Sequence, residues 1–235
     1  MLSPCMKLPP EEPAAGPWSA MTQADLVHLL FRAAGTPAER PRIVAVDGRG
    51  ASGKSTLAKR LCQQVPRSAI IHTDDVAWYE PYFAWGHLLA DHLLQPLHRR
   101  EDVSFRPPAW ALHGRDGTID ISSDLDLVVV EGVGASQREL EDLIDVTVWV
   151  QSDFAAAEER GIARDIAEGV NGDTEQTIAF WHEWMAEELQ FLRRQRPWER
   201  AGVVVAGTPP IALDDGELAV APGARSLRMQ GSRST

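Results

Sequence analysis

The chain has 235 residues, 44% of them hydrophobic, and a formal net charge of −11. That length suits one α/β domain with a sizeable core, and so acidic a balance excludes a general nucleic-acid binder, which would present a basic face. Two cysteines, Cys5 and Cys62, give neither a disulfide framework nor a metal-ligand spacing. No run approaches the ~18 apolar residues of a membrane span, and no basic start followed by an apolar stretch marks a secretory signal, so a cytoplasmic protein is expected.

In chain order, residues 1–20 carry five prolines from Pro4 to Pro17 and read as a flexible arm, residues 21–208 as the domain, and residues 209–235 as a Gly-, Pro- and Ser-rich tail whose last ten residues have no core to join. Thr22 opens a helix that turns Leu26, Leu29 and Leu30 inward and ends near Gly35. Ile43 to Val46 is a short apolar strand, followed by a helix with Leu57, Leu61 and Val65 four apart. Residues 69–72 form a second strand, residues 85–97 a helix, and residues 109–115 a loop-like segment. Strands at 126–130, 146–150 and 203–205 follow, with long helices over 153–168 and 174–194. Strands alternating with helices predict a three-layer αβα sandwich around five parallel strands, with ligands at their carboxyl ends.

Between the first strand of that series and its helix stands Gly48-Arg49-Gly50-Ala51-Ser52-Gly53-Lys54-Ser55, followed by Thr56. The pattern G-x-x-x-x-G-K-[ST] in a strand–loop–helix context is a P-loop. Its glycines let successive N–H groups turn toward phosphate oxygens, and the helix N-terminus adds its positive end. Lys54 then reaches the β- and γ-phosphates and Ser55 a Mg²⁺ ion, so ATP and Mg²⁺ are the expected ligands. Two further strands end in acids beside this loop: residues 69–72 run into Asp74 and Asp75, and residues 126–130 into Glu131, placed to handle the metal or its water shell. Arg160 and Arg164 lie four apart on one helix face, where two guanidinium forks can clamp phosphate oxygens. Neighbouring Glu158, Glu159, Asp165 and Glu168 could instead pair with them.

The loop, the carboxylate after the second strand, Val129-Val130-Glu131-Gly132 and the arginine-bearing helix resemble the uridine kinase and phosphoribulokinase group of P-loop kinases. The resemblance covers residues 42–207. It implies a helical lid carrying Arg160 and Arg164, and a base on the second strand that takes the proton of the substrate hydroxyl. Asp74 is the better match, while Val76-Ala77-Trp78-Tyr79 shifts the aromatics by one or two positions and leaves Asp75 in contention. Ala109-Trp110-Ala111-Leu112-His113-Gly114-Arg115 resembles the stretch that touches a pyrimidine nucleoside, with Trp110, His113 and Arg115 matching and Pro108 and Ala109 departing. Gly207-Thr208-Pro209 lies where related kinases hold the adenine.

The acceptor implied is a uridine- or cytidine-like nucleoside, with a pantothenate-like, sugar or natural-product hydroxyl as the alternative. An NTPase switch would need a water-positioning residue and, for GTP, an Asn-Lys-x-Asp motif, which the chain lacks. Trp149, Trp181 and Trp184 read as packing, and His87, His92 and His98 have no partner at zinc-ligand spacing. Oligomeric state is not legible.

Overall fold

The computed structural model describes residues 6–37 and 39–226. Any pairing of Cys5, and the last ten residues apart from Ser226, lie outside that range. In chain order the elements that matter are β1 Ser19–Thr22, α1 Gln23–Ala34, β2 Arg42–Gly48, α2 Lys54–Gln64, β3 Ser68–His72 and α3 Thr73–Ala77. Next come α4 Gly86–Leu89, a π turn Ala90–Leu94, α5 Gln95–His98, β4 Val103–Phe105, α6 Pro108–Leu112, β5 Ile119–Ile121 and β6 Leu127–Glu131. The chain closes with β7 Val146–Gln151, α7 Phe154–Glu168, α8 Thr174–Gln195, β8 Val203–Ala206 and β9 Glu217–Pro222.

The main sheet has the order β1-β9-β8-β7-β2-β6-β3. The five strands from β8 to β3 are parallel, as the alternation of elements predicts, and β9 and β1 add two antiparallel strands at one edge. Both faces are covered, and the period-2 alternation of side chains divides the strands between them. On β2, Val44 and Val46 pack with Leu26, Leu30, Leu57 and Leu61 of α1 and α2. Ile43 and Ala45 face the opposite layer, with Leu89, Leu93, Leu94 and Leu97 from α4 through α5. Each such buried aliphatic contributes about 1.5–3 kcal/mol. Helix ends follow local chemistry: the Thr22 hydroxyl accepts from the Asp25 N–H at 3.1 Å, and Asp173 and Gln176 form a reciprocal capping box on α8.

Three segments differ from expectation. The arm is held against β7: Lys7 N–H donates to Asp153 Oδ2 at 2.8 Å, and buried Glu12 accepts from Trp149 Nε1 (2.8 Å) and Gln151 Nε2 (3.0 Å). The segment expected to be a tail supplies β9, whose Leu218 and Val220 join the core. Proline content hid the first and the short length of the second hid its Leu-Ala-Val-Ala run, since an edge strand shows itself only through its partner. The segment 109–115, expected to be loop, begins inside α6 Pro108–Leu112, which has Pro108 in its first turn, where a missing N–H costs nothing. Among the described residues no helix is long and apolar enough to cross a membrane.

Candidate active site

The strand register brings the functional side chains to one level at the carboxyl edge of the sheet. Glu131 on β6 stands opposite Val46 on β2 and His72 on β3. Gly53, at φ +103°, turns the chain from the loop into α2, whose first turn carries neither a side-chain cap nor an acid. Its leading N–H groups and positive end are thus offered to an anion. Lys54, itself buried, donates from Nζ to the Arg49 carbonyl at 2.7 Å, curled along the loop.

The loop is braced from behind by two buried acids that sequence reasoning missed. Asp47 accepts from the N–H groups of Gly48 (2.7 Å), Gly134 (3.0 Å) and Ser136 (3.0 Å) and from the Ser136 hydroxyl (2.7 Å), tying β2 to the segment after β6. Burial pushes its carboxyl above the usual range against the pull of these donors. Glu188 on α8 accepts from Gly50 N–H at 2.6 Å and pairs with Arg49 at 3.0 Å. Arg49 therefore faces away from the phosphate side, its guanidinium 4.5 Å above the Phe154 ring. Burial raises the Glu188 carboxyl and the Arg49 charge opposes the shift. A signal existed: Glu188 falls on the inward stripe of α8 with Trp181, Phe191 and Leu192.

A cavity of about 490 Å³ gathers most of the predicted residues, among them Lys54, Ser55, Asp74, Glu131, Arg160 and Arg164. The Ser55 hydroxyl donates to Glu131 Oε2 at 3.1 Å, so the two expected metal ligands touch, and His72 Nδ1 contacts the other carboxylate oxygen. Burial would raise Glu131, but the His72 hydrogen bond and the Lys54 charge outweigh it and its carboxyl lies below the usual range. His72 is raised in turn, by that hydrogen bond first. Asp74 opens into the cleft yet is surrounded by its walls; burial pushes its carboxyl up, with Lys54 pulling the other way. Gly132, at φ +145°, allows the close approach of β6 to α3, since a Cβ there would stand 1.6 Å from Thr73 Oγ1.

Of the two arginines, Arg160 reaches the loop, donating to the Ala51 carbonyl (3.1 Å) and the Ser152 hydroxyl (2.8 Å). Arg164 pairs with buried Asp165, as the competing reading of this helix has it, while still lining the cavity. Asp165 also accepts from Trp181 Nε1 at 2.8 Å, which anchors α7 on α8. Trp184 does more than pack: it lines this cavity and a second one.

That second cavity, of about 650 Å³, shares Asp74, Val133, Phe180 and Trp184 with the first and is walled by Trp78, Tyr79, Tyr82 and Phe83. Five of the eight residues 78–85 are aromatic, a density that could have drawn attention to this segment. The residues expected to meet the acceptor are engaged in contacts of their own. Asp75 is bound to Arg115 at 2.5 Å. The Trp110 ring is buried, with its N–H given to the Asp75 carbonyl (2.8 Å) and its face covered by Arg115 at 3.6 Å. His113 stacks on Tyr79 at 3.9 Å. None of Asp75, Trp110, His113 and Arg115 lines either cavity, although His113 and Arg115 contact the Tyr79 and Trp78 rings of the aromatic wall. A third recess, of about 290 Å³, lies between Thr56 and Arg60 of α2 and Gly207 and Pro209 after β8, where the adenine is expected.

No family model matches the chain. It is 25% identical over 148 residues to a uridine kinase from Clostridium tetani, covering 55% of this chain and 70% of that protein. To a uridine kinase from Halalkalibacterium halodurans it is 24% identical over 195 residues, covering 75% and 92%. The fold matches a D-glycerate 3-kinase from Cryptococcus neoformans with a TM-score of 0.51 at 14% identity, covering 78% of this chain and 94% of that one. Fold, loop and relatives together define a P-loop phosphotransferase with a hydroxyl acceptor. Within that class its sequence is similar to uridine kinases.

Proposed function

We propose that the chain transfers the γ-phosphate of ATP to a hydroxyl of a nucleoside-like acceptor, with Asp74 as the base. The observation that carries this is the position of Asp74, which opens both into the cavity of the P-loop and into the aromatic one. A base for this reaction must touch the acceptor while standing beside the transferring phosphate, and Asp74 alone among the carboxylates of the second strand's end does so; Asp75 is engaged by Arg115. The uridine kinase relatives support the nucleoside, as does a cavity of ring-bearing walls suited to stacking a flat base.

Gly48 to Thr56 hold the phosphates through backbone N–H groups, with Lys54 swinging from the Arg49 carbonyl to the γ-phosphate. Ser55 and Glu131 would hold Mg²⁺, which supplies charge neutralisation between the phosphates when bound. Their contact fits such an ion, which needs only one or two protein oxygens beside phosphate and water. Asp74 accepts the proton of the acceptor hydroxyl as its oxygen bonds to phosphorus and the bond to the ADP oxygen breaks. Lys54, Arg160 and Arg164 offset the charge on the phosphoryl oxygens, and α7 closing over them keeps water out.

ADP release measured with uridine, cytidine, other nucleosides, pantothenate and simple sugars tests the reading. Acceptor-dependent turnover is expected with a nucleoside. ATP hydrolysis indifferent to every acceptor would overturn it, and turnover confined to a non-nucleoside would end the nucleoside part alone.

A further inference from the structure

The aromatic cavity has a charge character that a fold comparison does not show. Its only charged lining groups among the described residues are two acids, Asp74 and Glu80, and no lysine, arginine or histidine lines it. Lys54, Arg160 and Arg164 line the adjoining P-loop cavity, which meets this one at Asp74, and two further bases contact its rings without lining it. Arg115 is 5.5 Å from the Trp78 ring on the Asp75 side and neutralised there, and His113 covers the outer face of Tyr79. On α8, Glu183 and Glu187 lie close enough to Tyr82 to add to what burial does to its hydroxyl. The whole chain carries −11.

Away from the junction at Asp74, where Lys54 is near, a carboxylate or phosphate in this cavity would meet no lining cation and two acids. A neutral ring could stack but would leave Glu80 without a role. A cation gains from the negative faces of several rings and from the acids at once, the chemistry of an aromatic cage. Tyr82 and Phe83 lie 5.5 Å and 5.4 Å from Trp184, ring to ring, so the cage joins the segment after α3 to α8.

Resting on the reading of Asp74 as the acceptor's base, we infer that the acceptor is a nucleoside-sized alcohol whose ring carries a positive charge. Its hydroxyl meets Asp74, and its charged ring lies against the wall formed by Trp78, Tyr82 and Trp184 with Glu80 beside it.

The test uses two ligands of one shape: ribosylpyridinium, which is cationic, and its neutral counterpart, the phenyl C-riboside. Binding to the intact protein is followed by tryptophan fluorescence. The cation is expected to bind at least about tenfold tighter, within the range of desolvated cation–π contacts. Glu80→Gln should narrow that gap by weakening the cation and not the neutral ligand. Equal affinities, a preference for the neutral ring, or no binding of either ligand would overturn the inference. ADP release with ribosylpyridinium separates the two readings. Tight, charge-selective binding without transfer in the presence of ATP would uphold the cationic cavity and refute Asp74 as the base. Efficient transfer to uridine with no advantage for the cation would do the reverse.

Discussion

The cavity around the P-loop is made of backbone N–H groups and a few charges at fixed spacing, whereas its neighbour is made of rings from segments a hundred residues apart. On the phosphate side the ligand is the same whatever is phosphorylated, so one loop geometry serves and the sequence repeats it. Its rigidity comes from buried acids, Asp47 and Glu188, that bind the loop to β6 and α8. On the side proposed for the acceptor the ligand sets the shape, and side chains rather than backbone would meet it. The two meet at one carboxylate, Asp74, so changes there should be the most damaging and changes on either flank should affect one side only.

The largest effect is expected at that junction. Asp74→Asn should lower kcat by about 10²–10⁴-fold while leaving ATP affinity intact. Because burial raises the Asp74 carboxyl, the acid limb of the kcat/KM profile should lie above the ordinary carboxylate range. The rate falls as pH drops through that raised value and the base protonates. Asp75→Asn should keep most activity, since its partner is Arg115. If Asp75→Asn is dead and Asp74→Asn active, the two sides meet elsewhere.

Next comes the bracing of the phosphate side. Glu188→Ala removes the partner of a fully enclosed Arg49 and of Gly50 N–H, and breaking a buried pair from one side costs about 3–5 kcal/mol. Chemical denaturation should show that loss. A loss under 1 kcal/mol, on the scale of a surface ion pair, would mean that the loop is held without α8. On the ligand side of the same loop, Lys54→Ala should cost about 10²–10³-fold in rate with the fold retained. Near wild-type turnover in a folded Lys54→Ala protein would remove the loop from the chemistry.

This division explains what could be read from the chain alone. The five parallel strands were legible because Ile43–Val46 and Leu127–Val130 are buried on both faces and so are apolar throughout. Gly48 to Ser55 was legible because phosphate binding through backbone demands glycines at set positions. Glu131 and Asp74 followed, since acids leaving buried strands at the carboxyl edge fall beside the loop. Glu188 was not read: its meaning depends on α8 crossing the loop 138 residues earlier in the chain. The aromatic wall was missed for the same reason, because Trp184 is a packing residue by spacing and a lining residue only once α8 lies across the segment that follows α3. The stretch from Trp110 to Arg115 was assigned to the acceptor by resemblance, and in the fold it contacts the aromatic wall without lining either cavity.

That last difference carries the smallest and most discriminating prediction. Trp110→Phe keeps a ring under the Arg115 guanidinium but removes the N–H that the Asp75 carbonyl accepts. A hydrogen bond between neutral groups is worth about 0.5–1.5 kcal/mol, so a modest loss of thermal stability is expected. Trp110 is buried and lines neither cavity, and Asp75 keeps its ion pair with Arg115. The acceptor KM and the ATP KM should therefore both stay close to wild type. His113→Ala should behave alike, loosening Tyr79 from outside without touching Asp74. A tenfold rise in acceptor KM for Trp110→Phe, with ATP KM and stability unchanged, would bring this stretch into contact with the acceptor. The aromatic cavity would then be a flank of the binding site and not its centre.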